Sequence, residues 1–252
     1  MSNLFNRRKF ITNTAVSTLA SIAIPDIVLA AVKHDAAKKV TLNNNDIILF
    51  QGDSITDWGR NKADTTPNSF AMLGSGYAYL TAADLLMNNP GKDFKIYNKG
   101  VSGNKVFQMA DRWDTDCLAI KPNVLSIMIG VNDFWHTLTG GYKGTIETYR
   151  DDYKKLLNRT LQALPDVKFI IGEPFAVKGV KSVDDKWYPR FNEFRAVSKE
   201  IAALYNAPFI PYQSIFDEAL KSAPGSYWTN DGVHPSIPGA NLMAQAWLKT
   251  VK

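Results

Sequence analysis

The chain has 252 residues, 45% of them hydrophobic, and a formal net charge of +5. That is enough apolar material for one sizeable core in a single α/β domain, and the Lys and Arg residues are scattered rather than gathered into a basic stripe, which excludes a nucleic-acid partner. A single cysteine, Cys117, excludes an intramolecular disulfide and any thiolate metal cluster, so stability must come from packing.

Taken in chain order, the first feature is the pair Arg7 and Arg8 in NRRKFI, followed by a mild apolar run over 11–24 and a small-residue site around Val28, Leu29 and Ala30. This pattern is similar to a twin-arginine export signal. The run is broken by Thr12, Asn13, Thr14, Ser17, Thr18 and Ser21 and stops at Pro25, too short and too polar for a stable membrane anchor. No Cys follows it that could carry a lipid. Residues 1–30 therefore read as a signal peptide, 31–45 as a polar leader and 46–252 as the working domain, exported to the periplasm or beyond.

From Asp46 onward, short apolar runs alternate with longer amphipathic ones, the signature of βαβ units around a parallel sheet. The spacing predicts strands over 46–51 (DIILFQ), 94–98 (FKIYN), 123–130 (NVLSIMIG), 167–172 (VKFIIG) and 207–212 (APFIPY). Helices are expected over 76–88, 147–163, 190–205 and 238–251. In an open parallel sheet, functional groups gather in the crevice at the carboxyl ends of the strands.

Four segments at such positions carry chemistry. The first strand runs into Gly52-Asp53-Ser54-Ile55-Thr56, which puts a serine hydroxyl on the turn leaving the sheet. Alone, the tripeptide also suits a helix N-cap, and it lacks the second glycine of a GxSxG elbow. Asp231-Gly232-Val233-His234-Pro235 places an acid and an imidazole three residues apart in a segment that Gly and Pro keep from being a continuous helix. Such a loop can deliver a base already oriented by its carboxylate. Of the three histidines, His34 falls in the leader and His136 lies beyond a strand end, leaving His234 the better base with His136 in reserve. The loops Asn98-Lys-Gly-Val-Ser-Gly103-Asn and Gly130-Val-Asn132-Asp133 offer a backbone N–H and an amide side chain to a developing oxyanion, the second also reading as a plain turn.

GDSIT, the glycine of VSGN, GVND and DGVHP resemble, in order and spacing, the four blocks of the SGNH (GDSL-type) hydrolases. Carried over position by position, the resemblance implies Ser54 as nucleophile and Asp231 and His234 as the rest of a triad. It implies an oxyanion hole made by the N–H groups of Ser54 and Gly103 and the side chain of Asn132. The implied fold is a flavodoxin-like three-layer α/β/α sandwich on a five-stranded parallel sheet of order 2-1-3-4-5. ILFQGDSITDWGR, LGSGYAYL, YNKGVSGNKV and SIMIGVNDFWH further resemble the bacterial acetylxylan esterases of that clan, from about Asp46 to the carboxyl end.

The reaction so implied removes O-acetyl groups from xylan or its oligosaccharides through an acyl-serine, with no metal and no cofactor. A lysophospholipase or thioesterase of the same family is the alternative. Trp58 and Trp228 are the aromatic side chains expected to face the sugar, with Phe134 and Trp135 as bulk that closes a short acyl pocket. The segments 177–188 and 222–230 match nothing in that branch. The partner is a small-molecule or oligosaccharide ester; self-association into a homo-oligomer is left open.

Overall fold

The computed structural model describes residues 26–28 and 38–252. The pair Arg7 and Arg8, the apolar run 11–24 and Ala30 lie outside the described residues. Described strands, in chain order, are β1 (Ile47–Gly52), β2 (Lys95–Asn98), β3 (Val124–Met128), β4 (Lys168–Gly172) and β5 (Phe209–Ile210). All neighbours pair in parallel, in the order β2-β1-β3-β4-β5 expected from the resemblance.

The helices are α1 (Ser54–Asp57), α2 (Phe70–Leu73), α3 (Tyr77–Asn88), α4 (Val106–Asp111), α5 (Val131–Thr139), α6 (Ile146–Ala163), α7 (Phe191–Leu204), α8 (Tyr212–Ala219), α9 (Gly225–Trp228) and α10 (Ile237–Leu248). One set, α3, α8 and α10, packs together; α4, α6 and α7 form a second set, giving a sheet clothed by helices. Such a sheet is buried on both faces, so its strands read as apolar runs rather than alternating ones. In β3, all five residues are buried. The one polar member, Ser126, accepts a hydrogen bond from the Trp247 indole N–H of α10 at 2.9 Å, so neither polar group is left unpaired in the core.

The amphipathic helices form for the reason their spacing suggests. On α6, Tyr149, Tyr153, Leu156, Leu157 and Thr160 bury one stripe, and the Thr145 hydroxyl caps the amino end by accepting the Thr148 N–H. Cys117 is buried as expected, and burial pushes its thiol up to about 12. Ile27 and Val28 are buried among the core residues. Val40 pairs with Val251. Among the described residues, no helix is long and apolar enough to cross a membrane.

Two expectations need correction. The fifth strand is only two residues long, because Pro211 has no N–H for a ladder and Tyr212 already opens α8. Asn132, expected on a loop, is the second residue of α5, which Gly130 precedes as N-cap. The chain leaves β1 for β2 on one side and returns to β3 on the other. Their carboxyl ends therefore border the crevice where such sheets bind ligands.

Candidate active site

β1 delivers the chain to Asp53, whose carboxylate caps α1 by accepting the Ile55 N–H at 3.0 Å. Ser54 is thus the first residue of a one-turn helix, with a backbone N–H that has no partner inside the helix. Its Oγ lies 2.8 Å from Nε2 of His234, and Nδ1 of the same ring lies 2.8 Å from Oδ2 of Asp231. The other carboxylate oxygen of Asp231 accepts the backbone N–H groups of Val233 and His234, at 3.0 and 2.8 Å. Burial works against ionisation of this carboxyl, but the backbone and ring bonds from His234 and the bond from Val233 outweigh it and hold the group below the usual range. An ionised acceptor on Nδ1 fixes the tautomer that leaves Nε2 free to take a proton from the hydroxyl.

The loop carrying the acid and the ring is itself pinned. Asn230 N–H donates to the His234 carbonyl at 2.8 Å, Thr229 pairs with Pro235, and the Gly232 carbonyl accepts the Val177 N–H. The sequence-predicted acid, base and hydroxyl are therefore brought into one hydrogen-bonded row.

The three expected donors stand at the ends of adjacent strands: Ser54 after β1, Gly103 after β2 and Asn132 after β3. Gly103 sits at φ +81° with open space where a side chain would be. Among the described residues, neither the Ser54 N–H nor the Gly103 N–H has an acceptor. Asn132, only 3% exposed, spends one amide hydrogen on the Asn104 carbonyl at 3.2 Å, which orients the side chain and leaves the other hydrogen available. Unspent donors gathered at neighbouring strand ends are what a developing oxyanion requires.

Two further carboxyls lie beneath the site. Asp53 and Asp133 are each pushed up to about 7, chiefly by burial; the like charge of Asp53 adds a smaller rise at Asp133, and that of Asp57 a smaller rise at Asp53. Each spends one oxygen on a backbone N–H, from Ile55 and Val106, while its Oδ2 is buried without a partner. Asp53 thus serves the local backbone. His136 is engaged elsewhere: Lys105 Nζ lies 3.0 Å from its Nδ1, and it is not part of the row that contains Ser54.

The hydroxyl opens into a cleft of about 580 Å³ lined by Ser54, Trp58, Ser75, Ser102, Asn230 and His234 among others. A cleft of about 610 Å³ at the other end of the sheet, between Val40 and Phe169, contains none of these groups. Trp58 caps α1 in the left-handed conformation (φ 36°). Trp135 is half-buried, its ring 6.4 Å from the His234 ring. Trp228, expected to face a ligand, is only 4% exposed, and its indole N–H donates to the Ala219 and Ala223 carbonyls. It is turned into the core at the end of α8 rather than lining the cleft. Phe134 is fully buried against Trp187, Phe191 and Phe194 and closes no pocket. Sequence reasoning missed Ser75, Ser102 and Asn230, although Ser102 and Asn230 adjoin Gly103 and Asp231 in the blocks already singled out.

The profile of the GDSL-like lipase/acylhydrolase family matches residues 50–242. An acetylxylan esterase of Geobacillus stearothermophilus is 34% identical over 212 residues, which cover 83% of this chain and 95% of that one. Among solved structures, a chain from Parabacteroides merdae described as a GDSL-like lipase is 50% identical with a TM-score of 0.83, covering 84% of this chain and 98% of its own. Axe2, an acetylxylan esterase from G. stearothermophilus, is 31% identical with a TM-score of 0.75, covering 84% of this chain and 96% of its own.

Proposed function

We propose, for a chain that belongs to the GDSL-like lipase/acylhydrolase family and is a carboxylic ester hydrolase, that it removes O-acetyl groups from carbohydrate, with acetylated xylan or xylo-oligosaccharides as the substrate class. The observation that carries this reading is the row Asp231, His234, Ser54, joined by two contacts of 2.8 Å beside three unspent N–H donors. The likeness to an acetylxylan esterase supplies the acyl group and the sugar. Three structures of Axe2 are described as catalytic mutants, in which a serine, an aspartate or a histidine is replaced by alanine. That aspartate and histidine are three positions apart, as Asp231 and His234 are here.

In this reading Ser54 Oγ attacks the acetyl carbonyl carbon as its proton passes to His234 Nε2. The carbonyl π electrons move onto oxygen, and the resulting oxyanion is met by the N–H groups of Ser54 and Gly103 and by the Asn132 amide. Asp231 stabilises the imidazolium and remains ionised. Collapse expels the sugar oxygen, which takes the proton from His234. Water, deprotonated by the same ring, then releases acetate and restores Ser54. Trp58 forms a wall of the cleft beside His234, and Ser75, Ser102 and Asn230 present polar groups to the sugar.

The test is acetate release from acetylated xylan, pectin and chitin fragments by the wild type and Ser54→Ala. The reading expects xylan fragments to be turned over fastest and only by the wild type; faster release from pectin or chitin would move the substrate class. Residues 1–30 are proposed to direct export through a twin-arginine pathway. Replacing Arg7 and Arg8 by Lys should then retain the precursor in the cytoplasm, and unchanged export would refute it. Sequencing the exported amino end also tests the cut near Ala31, which would remove the buried Ile27 and Val28.

A further inference from the structure

A third buried carboxyl stands beside the site and takes no step in the proposed reaction. Asp57, the last residue of α1 and three positions after Ser54, is 4% exposed. Its Oδ2 accepts two hydrogen bonds from one residue of the neighbouring loop, the Ser102 N–H at 2.9 Å and the Ser102 hydroxyl at 2.8 Å. On its outer side the exposed Lys62 ammonium lies 3.7 Å from the same oxygen.

What those two bonds do follows from how the rest of the loop is held. The Asn98 side chain accepts the Gly100 N–H, Arg60 Nε donates to the Gly100 carbonyl at 2.8 Å, and the Val101 N–H donates to the Gly52 carbonyl. Asn104 is fixed again, its N–H on the Val101 carbonyl, its own carbonyl on Asn132 and its side chain on Arg112. Between these anchors lie only Ser102 and Gly103. Gly103 has no side chain and, among the described residues, its N–H has no acceptor, so the peptide unit that carries that N–H is tethered through Ser102, and Ser102 through Asp57.

We propose that Asp57 is a positioning residue for the oxyanion hole, holding Ser102 so that the Gly103 N–H faces the charge that develops on the substrate carbonyl. The inference rests on the reading of Gly103 as an oxyanion donor. Two bonds, from the N–H and the hydroxyl of one residue, to a single buried oxygen define a direction, whereas a glycine peptide left free samples many. Among the described residues, the Asp57 side chain makes no hydrogen bond to Ser54 Oγ, His234 or Asp231. Its effect therefore belongs to the transition state alone and should appear in kcat.

The experiment measures kcat and KM on 4-nitrophenyl acetate for Asp57→Ala, Asp57→Asn, Ser102→Gly and Lys62→Ala, beside Ser54→Ala. Complete loss of one oxyanion donor costs about 100- to 1000-fold, so a donor that is present but unaimed should cost about 10- to 100-fold. Asp57→Ala should lower kcat by that amount with KM held within about twofold and native near-ultraviolet circular dichroism. Asp57→Asn should recover most of the rate, because its amide oxygen accepts the same two bonds; Lys62→Ala should match the wild type. Full kcat in Asp57→Ala overturns the proposal, and so does a loss that Asn does not recover, which would assign the effect to charge. If Asp57→Ala does not fold, Ser102→Gly takes its place, since it deletes one bond and loosens the same peptide. It should lower kcat alone by about threefold to tenfold, and an unchanged kcat overturns the proposal. An inactive Ser54→Ala beside a fully active Asp57→Ala would reject only this inference; an active Ser54→Ala would reject the reading beneath it.

Discussion

The indole of Trp58 stands 5.9 Å from the imidazole of His234, centroid to centroid, at 41° between the planes. Its backbone is left-handed, and a side chain on Gly76 would come within 2.7 Å of its Cβ, so the Gly76 backbone is the seat on which the indole rests. A bulky ring held this close to the base leaves little length for an acyl chain on that side.

Acyl length is therefore the first expected outcome. A methylene accommodated by an apolar site gains about 1 kcal/mol, whereas one forced into a filled site costs a comparable or larger amount, so the sign of the trend is diagnostic. Across 4-nitrophenyl acetate, butyrate and octanoate, kcat/KM should fall steadily, and Trp58→Ala should flatten the fall. A maximum at octanoate would favour a lysophospholipase or thioesterase.

Asn132 is expected to act on charge that exists only in the transition state. Asn132→Ala should lower kcat by about 100- to 1000-fold and change KM little. A change confined to KM would show that the amide holds the substrate instead.

Buried acids give the pH dependence of stability its sign. Burial lifts Asp133 from 3.8 in the unfolded chain to about 7 in the fold. The folded protein thus binds this proton more tightly, so as pH rises from about 4 to about 7 the group withdraws stability, and above 7 the penalty is constant. Asp133→Asn cannot ionise and escapes it. Its Tm relative to the wild type should be higher at pH 8 than at pH 5 by about 3 °C or more. An equal difference at both pH values would mean that the carboxyl is not held protonated.

Much of this architecture was legible in the residues, and what was not has identifiable causes. The helices α3, α6, α7 and α10 lie within three residues of the expected bounds, because each is long enough for its apolar stripe to repeat. α5 was hidden because its first turn is the GVND segment, whose Gly, Asn and Asp suit a turn equally well. α8 was hidden behind the apolar run APFIPY, which carries no sign that pairing stops at Ile210. At one or two turns, α1, α2, α4 and α9 are too short for periodicity to show. Ser54, Asp231 and His234 could be named together because two short motifs hold all three. Trp58 and Trp228 could not be told apart in the same way, since proximity in sequence to a motif says nothing of the side to which an indole turns. In the fold one borders the cleft and the other is buried at the end of α8.

The central claim is that Ser54, His234 and Asp231 act as one unit, and it is tested most directly by kcat/KM for an acetyl ester in Ser54→Ala, His234→Ala and Asp231→Asn, each with its circular dichroism spectrum. Residues that act as a unit lose about the same when either of the two reacting members is removed. The account predicts that both alanine variants fall by about 10⁴-fold or more with native spectra, and that Asp231→Asn retains more activity than either. A natively folded Ser54→Ala or His234→Ala that kept most of the wild-type rate would contradict it.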